Sequence, residues 1–170
     1  MYMENNILTI RDFESMVENA TEIINENNLT DDNLADFMEN KLTYIFIKNG
    51  HKIKLIKDLK GSDKYTPIDT NLVELIIYLN ENGYYTDWCC EGSENDGNGY
   101  LAFTNNLNGV EITKDKIYEI INVIIDLVNE HPVFTLQYYG GSLIIRWRQN
   151  SKEEKIKNLD VLYKALMILK

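Results

Sequence analysis

The chain of 170 residues has the length of one compact domain, or of one domain with a substantial extension, and its 44% apolar residues suffice for a real core. A formal net charge of −10 disfavours duplex nucleic acid as a partner, because like charges repel at long range, and favours a basic protein instead. The charge is uneven: residues 1–40 hold ten acids and one base (net −9), residues 41–64 seven Lys and two Asp (net +5), and residues 65–170 fifteen acids and nine bases (net −6).

Ile10, Phe13, Met16, Val17, Ala20, Ile23 and Ile24 recur at helical spacing, which predicts one amphipathic helix over about 10–27. Its outer face carries Asp12, Glu14, Glu18, Glu22 and Glu26. Thr30 is an N-cap for a shorter helix with Leu34, Phe37 and Met38 inward. LTYIFIK and HKIKLIK flank Asn49-Gly50, a two-residue turn whose positions both require positive φ, so a hairpin is expected. It pairs Phe46 with Ile53 and Tyr44 with Leu55 on one face, and Ile47 with Lys52 and Ile45 with Lys54 on the other. GSDKYTP, residues 61–67, reads as a linker. A helix follows over about 69–82 with Leu72, Val73, Ile76 and Leu79 buried and Gly83 as its left-handed stop. Tyr84–Cys90 and Tyr100–Thr104 read as strands around a polar loop.

Thr113 caps a long helix bearing Ile117, Ile120, Ile121, Ile124 and Val128, which ends near His131-Pro132. VFTLQYY and SLIIRWRQ form a second hairpin across Gly140-Gly141, with Leu136 opposite Ile145 and Phe134 opposite Trp147. Ser151 with Glu154 opens the last helix as a capping box. The order is ααββ-αββαββα, and the expected class is α+β, an antiparallel sheet built from hairpins with helices packed on it. The expected division is an acidic helical pair with a Lys-rich hairpin over 1–64 and an α+β core over 65–170, or one continuous domain. No Gly-rich phosphate fingerprint follows a strand.

MYMENNILTIRDFESM lacks the basic-then-apolar pattern of a secretory signal, and charges interrupt every apolar run short of the ~20 residues that span a bilayer. Adjacent Cys89 and Cys90 are poorly placed for a mutual disulfide. Reduced thiols and no membrane span fit a cytoplasmic protein.

The segment Leu79–Phe103 is the best candidate for chemistry, since it sets Cys89, Cys90 and the backbone of Glu91-Gly92-Ser93 at a strand end. Adjacent strand side chains point to opposite faces, so one cysteine at most serves a given site. The neighbouring Asp87, Glu91, Glu94 and Asp96 would raise a thiol pKa, and His51 and His131, the only bases for a Cys–His pair, sit at a hairpin tip and a helix end. Zinc lacks a second cysteine pair, and the oxygen-rich 91–99 loop lacks EF-hand spacing, so neither metal is expected. Arg146 and Arg148 alternate with Trp147 on the last strand, and several aromatic residues lie on strands of the same sheet. Such a set suits a phosphate, carboxylate or nucleobase.

Leu79, Asn80, Gly83, Tyr84 and Thr86, followed by Cys90-Glu91-Gly92 and then Tyr100 and Phe103, form an LNxxGYxT…CCEG pattern. It resembles a loose group of small proteins of low-GC Gram-positive bacteria and their phages, in which His commonly follows the Gly where this chain has Ser93. More distantly it is similar to the tRNA wybutosine-synthesis methyltransferase-like family. The small size and acidity, the lack of a complete catalytic constellation and the first resemblance together lead to the expectation of a non-catalytic phage-encoded inhibitor of a host defence factor, such as a CRISPR effector, acting in the host cytoplasm. Its acidic residues Asp12, Glu14, Glu18, Glu22 and Glu26 would meet a basic, nucleic-acid-binding partner. The alternative is a nucleotide- or RNA-related ligand on the C-terminal half, held by Cys90, Gly92, Arg146 and Arg148, and the second resemblance implies S-adenosylmethionine-dependent methyl transfer there. No catalytic residue is assigned, and no cofactor is expected under the first reading. Exposed hairpin edges also allow a homodimer.

Overall fold

A computed structural model describes residues 9–39, 45–57, 59, 65–92, 97–104, 106–107 and 110–170. The protein is α+β and divides into two compact units, residues 1–70 and 71–170.

The first unit comprises α1 (Ile10–Met16), α2 (Ala20–Asn27), α3 (Asp31–Glu39), β1 (Phe46–Lys48), β2 (His51–Ile56) and β3 (Thr66–Asp69). The single helix expected over 10–27 is two. Val17 is extended and Asn19 takes a left-handed conformation at φ 58°, which asparagine tolerates better than most residues. The break keeps the apolar residues in phase, so Phe13, Val17, Ala20 and Ile23 still reach one core with Leu34, Phe46, Ile53, Leu55 and Tyr65. Periodicity alone therefore cannot see it. Thr9 opens α1 with a capping box whose reciprocal member is Asp12, and Thr30 caps α3 by accepting from Asn33 N–H at 3.4 Å. The side chains of Phe37 and Met38 lie outside the described residues.

The β1–β2 hairpin has the expected register, Phe46 opposite Ile53 and Ile47 opposite Lys52, across Asn49 (φ 50°) and Gly50 (φ 73°). Tyr44 lies outside the described residues, and Ile45 precedes the strand. The segment read as a linker is different in its described part. Tyr65 is buried, and Thr66–Asp69 forms an edge strand antiparallel to β2, with Pro67 opposite Leu55. Proline fits there because an edge strand can spare one donor. Residues 61–64 lie outside the described part.

Helix α2 finishes this sheet with polar side chains. Asn27 accepts from Ile47 N–H at 2.9 Å and donates to Ile47 C=O at 2.7 Å, so one amide pairs both backbone groups at the open edge of β1. Glu26 accepts from Asn49 N–H at 2.7 Å and Gly50 N–H at 3.2 Å, and Glu22 accepts from the Asn49 side chain at 3.2 Å.

In the second unit a 3-10 turn (Thr70–Leu72) leads into α4 (Val73–Glu81). Then come β4 (Thr86–Cys90), β5 (Gly99–Thr104), the short pair β6 (Asn106–Leu107) and β7 (Val110–Glu111), α5 (Lys114–Glu130), β8 (Phe134–Tyr139), β9 (Ser142–Trp147) and α6 (Lys152–Leu166). Asp69, expected to begin the helix, ends β3 instead. Gly83 stops α4 at φ 81°. The main sheet has the order β4-β5-β9-β8, antiparallel throughout. Gly140 and Gly141, both at positive φ, close the β8–β9 hairpin in the expected register. Phe103 and Leu143 face Ile117, Ile120 and Ile121 of α5, so that helix covers one side of the sheet. Ser151 caps α6, while Glu154 reaches back one residue further than expected, to Asn150 N–H at 2.6 Å.

Glu26 holds the hairpin turn through two backbone donors, and its exposure limits the gain. Glu26→Ala is expected to lower the stability of the first unit by about 1 kcal/mol in urea unfolding, with Glu14→Ala within about 0.5 kcal/mol of zero.

Candidate functional site

The strand-end turn is built as a clamp. Cys90 ends β4, and its sulfur accepts from Gly92 N–H at 3.4 Å. Glu91, 5% exposed, points to Lys155, 8% exposed; Lys155 Nζ lies 2.5 Å from Glu91 Oε1 and donates to Gly92 C=O at 3.0 Å. Gln149 Nε2 donates to Glu91 C=O at 2.8 Å and its Oε1 accepts from Trp147 Nε1 at 3.2 Å. Gly92 sits at φ 78°, and a Cβ there would lie 2.6 Å from Gln149 Nε2 and 2.8 Å from Gly97 O, so no other residue fits without movement. Gly99 gives room in the same way to the Trp147 indole, which would come within 1.9 Å of an added Cβ. The turn thus holds α6 against the ends of β4 and β9.

Lys155 was not a sequence-predicted site residue. It lies on the inward stripe of α6 with Asn158, Leu159, Leu162 and Leu166, the spacing of a buried face. A lysine on that stripe needs an inward carboxylate, and that is the signal which marks Glu91.

Of the proposed ligand set, Cys90 and Gly92 belong to this clamp. Arg146 is elsewhere. It faces the sheet side that carries Cys90 and Tyr100, donates from Nε to Gln137 at 2.9 Å and stacks over the Tyr100 ring at 5.6 Å from its centroid. Trp88, 53% exposed, stands opposite Ala102 on that side. Arg148 follows the end of β9 and is exposed, with its C=O accepting from Asn158 at 2.9 Å. Trp147 is core, against Phe134 at 6.1 Å between ring centroids.

Neither histidine is an unengaged surface group. His51 Nδ1 lies 3.6 Å from Asp69 Oδ1, and His131 ends α5 with its ring edge on Phe134. Cys89 and Cys90 are half-buried on opposite strand faces and form no disulfide.

The acidic side chains divide into two sets. Asp12 is committed to Thr9, whose hydroxyl and N–H bonds hold its carboxyl below the usual carboxylate range, and Glu22 and Glu26 hold the β1–β2 turn. Asp31 accepts from Ile10 N–H at 2.8 Å, whereas Glu14, Glu18, Asp32 and Asp36 are exposed. Among the described residues none of these carboxylates forms an ion pair within 4.0 Å.

A separate polar cluster surrounds Tyr84. Its buried hydroxyl donates to Glu119, with Lys170 O 3.0 Å from the same oxygen, while Lys116 Nζ lies 4.0 Å above its ring and donates to Asn82 C=O at 2.6 Å. Burial and then the Glu119 carboxylate push the Tyr84 pKa up to about 12.

Comparison with protein-family models, curated proteins and solved structures finds no match to this chain. Among the described residues no helix is long and apolar enough to cross a membrane.

Because the folded-state pKa of Tyr84 exceeds its unfolded value of 10.0, its contribution is complete below pH 10 and is lost as pH rises toward about 12. Tyr84→Phe is expected to flatten this part of the stability–pH curve in chemical unfolding. A curve unchanged by the substitution contradicts the assignment.

Proposed function

We propose that the protein is a non-catalytic binding protein whose first unit engages a basic partner through exposed carboxylates. The observation that carries this reading is the two-sidedness of α1 and α2. Phe13, Val17, Ala20 and Ile23 are buried, while Glu14 and Glu18 stand exposed with no ion-pair partner among the described residues. Arg11 is the single base among ten acids in residues 1–40. Such a surface speeds encounter with a cationic protein and discriminates by sign. The roles of Cys90, Glu91 and Gly92 in the clamp support the same reading, since they account for the most distinctive motif without a reaction. A nucleic-acid-binding defence effector, met in the host cytoplasm, has the required basic surface, and the phage-associated resemblance favours that partner.

Glu14 and Glu18 are the residues to test, because Asp12, Glu22 and Glu26 also hold the fold. Capture from host lysate is expected at about 0.05 M salt and to be lost at about 0.5 M, where screening collapses surface attraction. Glu14→Lys with Glu18→Lys is expected to abolish capture at low salt. Absence of any partner, or one indifferent to both changes, overturns the proposal.

A second reading rests on Arg146, which lies over Tyr100 on the sheet side that also carries Trp88 and Gln137. A flat ligand such as a nucleotide or S-adenosylmethionine stacks on surfaces of this kind. Calorimetry with these compounds separates the readings: a binding heat that Arg146→Ala abolishes favours the ligand, and its absence favours the partner protein.

A further inference from the structure

Among the described residues β8 is an edge of the main sheet, with β9 as its one neighbour in the order β4-β5-β9-β8. Its residues FTLQYY include no charge and no proline, the usual devices that protect an edge. In a hairpin closed by two residues, Tyr139 and Ser142 form the hydrogen-bonded pair next to the turn. Alternation then directs the N–H and C=O groups of Leu136 and Tyr138 away from β9.

Helix α5 continues this edge. Its α6 side is charged: Asp126 and Glu130 lie beside Val161, Lys164 and Ala165. Its β8 side is apolar, with Ile117 and Ile121 beside Tyr138. At 100° per residue the apolar arc runs on through Val128, Ile125 and Tyr118, beyond what the core fills. Tyr118 is 65% exposed, Ile125 46% and Tyr138 73%.

We infer that this edge is where a second copy of the chain docks, joining the two main sheets through antiparallel β8 strands. The geometry is self-complementary. With Gln137 on the two-fold axis, Leu136 pairs with the partner's Tyr138 and the reverse, and the two α5 helices lie side by side on one face. Charge selects this edge. Copies of net charge −10 repel, yet the strip from Ile117 to Val128 on the β8 side of α5, and all of β8, carry no charge. Tyr118, Tyr138 and Tyr139 together expose on the order of 400 Å², about half of the ~800 Å² per partner of a stable interface, and Ile125 and the outward backbone of β8 add to it. Dimerisation is independent of the acidic-partner reading and survives its failure.

Sedimentation equilibrium of the full chain at about 0.1 mM is the test, that concentration being well above the dissociation constant of a standard interface. Wild-type protein is expected at twice 19.8 kDa. Tyr138→Lys and Ile125→Lys, both at exposed positions, are expected at 19.8 kDa with an unchanged circular dichroism spectrum. Ile156→Lys, an exposed apolar site on α6, is expected to leave the dimer intact. A wild-type monomer, or a dimer that both β8-side variants leave whole, overturns the inference.

Discussion

A buried ammonium on the inward face of α6 can be tolerated only if a carboxylate meets it, and Glu91 does so from the end of β4. That requirement sets much of the second unit. To bring Glu91 inward the chain must turn sharply after Cys90, and it does so at Gly92 with a positive φ. The turn brings its carbonyls to Lys155 and Gln149, and Gln149 in turn receives the Trp147 indole N–H. One ion pair thus orders two strand ends, the largest buried side chain and the first turns of a helix. Removing either charge alone leaves the other uncompensated among apolar neighbours.

The same economy operates in the first unit, where polar side chains of a helix complete a small sheet. Asn27 closes the edge of β1, and Glu22 with Glu26 satisfies the turn at Asn49-Gly50. The acidic segment of α1 and α2 is consequently not acidic for one reason. Glu22 and Glu26 of α2 are internal acceptors, whereas Glu14 of α1 and Glu18 of the break are exposed, and these two are the ones the proposed partner would meet. The contrast with the uncharged β8 edge gives two surfaces of opposite character.

Both hairpins were legible in the sequence because Asn-Gly and Gly-Gly dictate two-residue turns and fix the register of everything beside them. Helices α5 and α6 were legible because a cap and a long periodic run agree. The split between α1 and α2 was hidden because Asn19 bends the backbone without breaking the apolar phase. Strand β3 was hidden because Thr66-Pro67 has the composition of a turn, and pairing with β2 decided otherwise. The CCEG motif was visible as distinctive, but its role was not. Adjacent thiols suggest reactivity, whereas the decisive residue was Lys155, 64 positions from Glu91 and unremarkable in its local context.

The most direct test of this account is a double-mutant cycle on the buried pair, using Glu91→Gln, Lys155→Met and the double variant in chemical unfolding. The account predicts that each single change destabilises by about 3 kcal/mol and that the double variant loses about 4 kcal/mol instead of the additive ~6, a coupling of roughly 2 kcal/mol. Additive losses, with coupling under about 0.5 kcal/mol, would contradict it.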